Sequence, residues 1–250
     1  MTKADEHRAD LRALPAAEWE PYLLAHSGLP GPRGNLELAH VVADEAGETW
    51  LARWRVLTPE QAPVNSPAEF LTFCGVLGLG RHLAAGDRSA LDDLRPFAGD
   101  PRWRAREAVA MALQRWGDAD MDALLAAMTD WSTGDHWEQR AAAAALCEPR
   151  LLHDPRHASV VLAILDAITQ RSVIASPEVR KTEAFKVLRQ GLAYCWSVAV
   201  VAHPAVGKPL MEKWSKSPDP DIHWIMRENL KKNRLQKMNP AWVEAMLRDY

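Results

Sequence analysis

A short motif recurs at the starts of predicted helices, and it restricts the fold of this chain more than any other feature. Each copy has an acidic residue, then a tryptophan, then an arginine three positions after the tryptophan. Clear copies centre on Trp103, Trp137 and Trp224, and a degenerate copy has Val179 in the tryptophan place and Thr182 in the arginine place. Successive centres are 34, 42 and 45 residues apart. Such a period indicates helical hairpins that bury their apolar faces only by stacking on their neighbours.

Composition favours helices throughout. Alanine and leucine dominate the apolar residues, and the alternation of β-branched and aromatic residues that marks strands is missing. Capping residues followed by proline, as at Ser66, Asp100, Asp154, Ser176 and Asn239, mark helix starts. The predicted helices are 67–85, 101–116, 121–131, 136–147, 156–170, 177–201, 205–215, 221–233 and 240–248.

These signals predict an all-α, single-domain chain, a right-handed α-solenoid of antiparallel helix hairpins. Residues 1–66 are predicted to form an N-terminal helical cap with a Pro/Gly-rich connector. Residues 67–238 are predicted to carry the repeats, and residues 239–250 to form a C-terminal capping helix.

Several classes of protein are disfavoured by the residues. Three widely spaced cysteines do not form a disulfide framework. No apolar run reaches the length of a membrane helix, about 18 residues, so a cytoplasmic location is expected. Pro155 disrupts the helical spacing of His153 and His157, so no metal is expected. No glycine-rich phosphate loop is present, and no cofactor is expected. Glycines 75, 78 and 80 lie in an apolar helix, where they favour close helix packing.

The least repeat-like stretch is 27–39, which is dense in proline and glycine. This density predicts a defined loop before a helix that begins near Asn35. The loop is either a rigid connector that seats the N-terminal cap, or a place where Arg33 and the helix N-terminus receive an anion.

The period and the motif resemble HEAT-like repeat proteins over about 67–233, and among these the bacterial alkylpurine DNA glycosylases of the DNA alkylation repair family. That resemblance implies a basic concave face for duplex DNA, with aromatic residues framing the damaged base. Trp103 matches the first tryptophan of the family, Glu107 stands where the family has Asp, and Arg140 matches its arginine. The last aromatic position falls near Phe185, with Trp196 in the same predicted helix.

The resemblance implies that Glu107 stabilises positive charge on the sugar while Arg140 holds a backbone phosphate, with indoles facing a cationic lesion. The alternative is an ordinary ion pair between repeats, since Trp224, Arg227 and Glu228 repeat the same residue types. Packing between helix layers likewise explains many of the eleven tryptophans. The predicted aromatic binding residues are Trp103, Trp137, Phe185 and Trp196.

Charge is uneven along the chain, whose formal net charge is −3. Residues 1–170 hold 16 Lys and Arg against 25 Asp and Glu, whereas 171–237 hold 13 against 6. This basic segment is predicted to dock a partner unless it is merely a solvated helical face. The basic binding residues predicted there are Arg180, Lys181, Arg227, Lys231, Lys232 and Arg234.

Together these features favour a non-catalytic binding scaffold that uses its concave and basic C-terminal face for a protein or a nucleic acid, duplex DNA included. The alternative is a DNA-binding relative of the alkylpurine DNA glycosylases, acting in base excision or lesion recognition. A membrane is not an expected partner.

Overall fold

The computed structural model describes residues 2–248. Within that range it contains sixteen α-helices, two short 3-10 helices and no strand, which confirms the all-α prediction. No helix among these residues is both long enough and apolar enough to span a membrane. The repeat type and the right-handed superhelix stay predictions.

Contacts divide the chain into two compact units, Met1–Trp116 (unit 1) and Gly117–Tyr250 (unit 2). The predicted divisions after residues 66 and 238 stay predictions.

Unit 1 is organised around one long apolar helix, α5, which packs against α2, α3, α4 and α6. A 3-10 turn, Arg95–Gly99, leads from α6 to α7, and α7 continues past the boundary between the units. The helices are α1 (Lys3–Ala13), α2 (Ala16–His26), α3 (Leu36–Glu45), α4 (Glu48–Arg55), α5 (Pro67–Ala84), α6 (Ala90–Leu94) and α7 (Trp103–Ala119).

Three glycines of α5 allow neighbouring helices to approach closely, as predicted. A Cβ added at Gly80 would lie 2.6 Å from the carbonyl oxygen of Ala112, and one at Gly75 would lie 2.6 Å from the Arg55 nitrogen. At Gly78 the nearest atom would be a Leu51 methyl at 2.7 Å. At Gly75 and Gly80 the contact is with backbone, so α5 packs closely at these two points only because a side chain is absent, whereas at Gly78 the contact is with a flexible side chain.

Unit 2 also has one central helix, α12, which packs against α9, α10, α13, α14 and α15. A 3-10 turn, Pro149–Leu151, separates α9 from α10. The helices are α8 (Met121–Trp131), α9 (His136–Leu146), α10 (Pro155–Val173), α11 (Pro177–Arg180), α12 (Glu183–Ala202), α13 (Pro204–Ser215), α14 (Pro220–Leu230), α15 (Asn233–Met238) and α16 (Pro240–Leu247).

Some predicted boundaries are wrong for reasons of local hydrogen bonding. The helix predicted over 177–201 is two helices, because the Thr182 hydroxyl caps a new start by accepting from the Phe185 amide. Likewise α7 begins at Trp103 and not at 101, because Asp100 binds both the amide and the guanidinium of Arg102. The helix predicted over 221–233 ends at Leu230 and restarts as α15.

We expect Gly80→Ala to lower the free energy of unfolding by about 1–3 kcal/mol, because its methyl group meets the Ala112 backbone. The matched control is Gly191→Ala in α12, where a Cβ would have only the Arg140 Cγ at 3.7 Å nearby. That control should raise stability by about 0.5–1 kcal/mol through helix propensity. Urea unfolding followed by far-UV circular dichroism measures both, and equal effects would contradict the close-packing explanation.

Candidate functional site

Unit 1 contains a small, mostly apolar pocket of about 240 Å³, here called the Trp103 pocket. It lies between the start of α7, the first half of α5 and the loop that precedes α3. Apolar rings and chains form most of its wall, with one carboxylate and two guanidinium groups among them. The lining residues are Pro32, Arg33, Gly34, Leu36, Phe70, Phe73, Trp103, Arg104, Glu107 and Met111.

Trp103 is the most exposed aromatic ring of this pocket. Its relative exposure is 43%, whereas Phe70 and Phe73 are buried beneath it in α5. The guanidinium carbon of Arg104 lies 4.3 Å from the centroid of the indole, which restrains the ring by a cation–π contact. The indole is therefore held in place while much of its surface stays open.

Glu107 lies one helical turn after Trp103, and its half-buried side chain lines the same pocket. Residues four apart share a helix face, so α7 alone brings the indole and the carboxylate together. Trp103 and Glu107 thus line one pocket within unit 1, while the predicted pairing of Glu107 with Arg140 stays a prediction.

A buried ion pair supports the floor of the pocket. Arg104 Nη1 donates to Glu69 Oε2 at 2.9 Å, and both side chains are almost completely buried. The other terminal nitrogen of Arg104 donates to the carbonyl oxygen of Gly31 at 2.8 Å. Glu69 Oε2 also accepts from the Asn65 amide at 2.8 Å. One guanidinium therefore joins α7, α5 and the loop before α3.

The proline- and glycine-rich loop forms one wall of the pocket. Its ends meet where the Asn35 amide donates to the Ser27 carbonyl at 2.8 Å, and Gly28 turns the chain with a positive φ of 74°. Exposed Arg33 lies on this wall. The sequence offered a connector or an anion-binding loop, and the contacts show a loop anchored against α5 and α7. The sequence did not predict that this loop and Trp103 line the same pocket, because no sequence signal links residues so far apart.

A hydrogen-bond network fixes the end of this loop. Asn35 caps α3 by accepting from the Leu38 amide, and its amide nitrogen lies 3.1 Å from His7 Nε2. The other nitrogen of His7 is 2.9 Å from the Tyr22 hydroxyl, which donates to Asp10. Burial, the hydrogen bond to Asp10 and the charge of Asp10 raise the pKa of Tyr22 to about 12, so this phenol stays protonated near neutral pH.

The other predicted aromatic and catalytic residues lie in unit 2. Trp137 and Arg140 are half-buried on α9. Phe185 and Trp196 are buried in α12, and the Trp196 indole nitrogen donates to the Thr169 hydroxyl at 3.1 Å. Neither ring is open to a ligand in this structure, because α12 is the central helix of the unit and its apolar face is covered.

Several predicted basic residues are engaged within unit 2. Arg180 pairs with Asp219 and Asp221 and also donates to three carbonyl oxygens near the end of α10. Lys231 pairs with Glu228 one turn away, and Arg234 donates to the Tyr194 hydroxyl. The structure therefore uses Arg180 to join segments of the fold.

The remaining predicted basic residues are accessible. Lys181 and Arg227 are exposed and Lys232 is half-buried. Arg227 lines an open groove between α13 and α14. Across residues 2–248, no cluster of three or more His, Cys, Asp or Glu side chains is arranged to hold a metal ion.

Comparisons with protein-family models, with curated proteins and with solved structures found no match. The structure therefore defines an all-α protein with a pocket around Trp103. Its function is inferred from the side chains that line its pockets.

Arg104→Met is expected to lower the free energy of unfolding by about 3–5 kcal/mol, because it leaves the Glu69 carboxylate buried without its partner. Arg33→Met removes the same charge from an exposed wall position and should change stability by less than about 0.5 kcal/mol. Chemical denaturation measures both variants. Similar costs for the two would show that the buried pair does not anchor the loop.

Proposed function

We propose that this chain is a non-catalytic binding protein and that the Trp103 pocket receives one positively charged group of a macromolecular partner. The observation that carries the proposal is the exposed indole of Trp103 beside the carboxylate of Glu107 in one apolar pocket. An indole face attracts a cation, and the Glu107 carboxylate favours positive charge further. Of the two guanidinium groups in the lining, Arg104 is paired with Glu69 and Arg33 is exposed to solvent, which weakens their opposition to a bound cation.

The size of the pocket supports a single inserted group. At about 240 Å³ it lies below the ~300–1,000 Å³ of pockets for drug-sized ligands. A methylated lysine side chain or one alkylated nucleobase has this scale and charge. Buried Phe70 and Phe73 and the Arg104 of the buried ion pair belong to its lining, and such packed groups favour a pocket that needs little rearrangement to bind.

A second candidate function is recognition or excision of an alkylated purine in DNA. It is favoured by the occurrence of Trp103 and Glu107 in the same pocket, since the resemblance to alkylpurine DNA glycosylases rests on these two positions. In that function the indole stacks on the cationic base and Glu107 stabilises charge on the sugar as the base leaves. Arg33, exposed on the pocket wall, offers a cation for a phosphate of the same nucleotide.

Calorimetric titration with two cationic probes, 7-methylguanosine and a trimethyllysine amide, tests the proposal. At least one should bind more tightly than its uncharged counterpart, guanosine or a norleucine amide. We expect Trp103→Ala to weaken that binding by about tenfold, and Glu107→Gln to reduce the preference for the charged probe. The controls are Trp19→Ala, a half-buried indole outside the pocket, and Glu37→Gln, an exposed carboxylate on α3. Failure of both cationic probes to bind preferentially would overturn the proposal.

Release of 7-methylguanine from a methylated duplex separates the two functions. Excision predicts release by the unmodified protein and its loss in Glu107→Gln. Preferential binding of the methylated duplex without release fits lesion recognition. Preferential binding of trimethyllysine alone supports a protein partner and contradicts recognition or excision of an alkylated purine in DNA.

A further inference from the structure

Unit 2 has an open groove of about 850 Å³ at the turn between α13 and α14, here called the Trp224 groove. Lys216, His223, Trp224 and Arg227 line it, together with Pro218 and Pro220. We propose that this groove binds an unpaired strand of nucleic acid, with phosphates on Lys216 and Arg227 and a base against Trp224.

Charge is the first argument. Lys216 and Arg227 are exposed, and among the residues that the structure describes neither forms an ion pair with a carboxylate. Acidic residues that neighbour the lining residues in the sequence are engaged by other cations, and Glu228 pairs with Lys231. Asp219 pairs with Arg180 at 2.6 Å, and Asp221 pairs with Arg180 at 2.9 Å and with Arg189 at 2.8 Å. The groove therefore presents cations whose charge is not neutralised locally, which suits a polyanion.

The aromatic ring is the second argument. Trp224 is half-buried, and the guanidinium carbon of Arg189 lies 3.7 Å from the ring centroid. Asp221 in turn pairs with Arg189, so the guanidinium that contacts the indole is itself held beside the groove wall. An indole beside free cations is the combination that single-strand binding surfaces use, since a base stacks on the ring while its phosphate meets the cation.

The occupant follows from these two features together. An acidic peptide requires the cations but gains little from an indole. A duplex covers the faces of its bases by stacking, whereas an unpaired strand leaves them accessible. The combination therefore favours single-stranded DNA or RNA, read through its backbone and the face of a base.

Fluorescence anisotropy with a labelled oligothymidylate of about ten nucleotides, a typical single-strand site size, tests this proposal. We expect Lys216→Ala/Arg227→Ala to weaken binding and to make the slope of log K against log salt less steep by about 1.4, since each phosphate contact contributes about 0.7. The control Arg171→Ala/Lys237→Ala removes two exposed charges outside the groove and should leave the slope unchanged.

Two further arms test the aromatic contact and the class of ligand. Trp224→Leu keeps an apolar side chain under Arg189, and circular dichroism checks its fold. It should weaken oligothymidylate binding about tenfold while leaving binding of an abasic oligomer of the same length unchanged. Equal loss for both oligomers, or no effect of the charge variant, would overturn the proposal. Tighter binding of polyglutamate than of oligothymidylate would overturn it in favour of an acidic peptide.

This inference does not depend on the Trp103 pocket. Trp103→Ala should leave binding of unmethylated oligothymidylate unchanged, and Lys216→Ala/Arg227→Ala should leave binding of the cationic probes unchanged. Failure at one site is therefore distinguishable from failure at the other.

Discussion

The pocket of unit 1 depends on the buried ion pair between Arg104 and Glu69. Burying two charges is costly, and further hydrogen bonds to each group offset part of that cost. Here the guanidinium also donates to the Gly31 carbonyl and the carboxylate also accepts from the Asn65 amide, while Arg104 Nε and Glu69 Oε1 are buried without a hydrogen-bond partner. Segments that are far apart in the sequence are thereby fixed against each other. An apolar pair of similar volume would fill the space but would not hold the loop in one register.

The recurring motif does not have a recurring role. In the first copy the indole of Trp103 is the open surface of a pocket, and the motif arginine Arg106 is buried and donates to the Asp100 carbonyl. In the last copy Asp219 accepts from Arg180, while Trp224 packs against Arg189 and also lines an open groove. The same residue types thus serve as scaffold in one contact and as accessible surface in another. Proposals of function therefore rest on the exposure of each side chain, with the motif only marking where to look.

Much of the secondary structure was predictable because its causes are local. Ser66, Asp154 and Asn239 cap the helices that were expected to start there, each accepting from an amide two or three residues on. Two predicted boundaries failed where a polar side chain had two possible uses. Asp100 binds Arg102 and delays α7, while Thr182 interrupts a helix whose apolar pattern runs on. Such competition is decided by geometry over a few residues, and a hydrophobic period does not record it.

Sequence alone determined that this chain is helical, and it placed Trp103 and Glu107 on one face of a helix, because both facts follow from spacing within a single segment. Only the tertiary structure decided which aromatic rings are accessible, since Trp196 in the central helix α12 is covered while Trp103 at a helix start is not. It also decided that the 27–35 loop lines the same pocket as Trp103. Likewise, Arg180 forms an ion pair with Asp219, whereas Arg227 stays exposed to solvent. The burial and the ion pairs of a side chain depend on residues that are distant in the sequence, so local sequence patterns do not predict them.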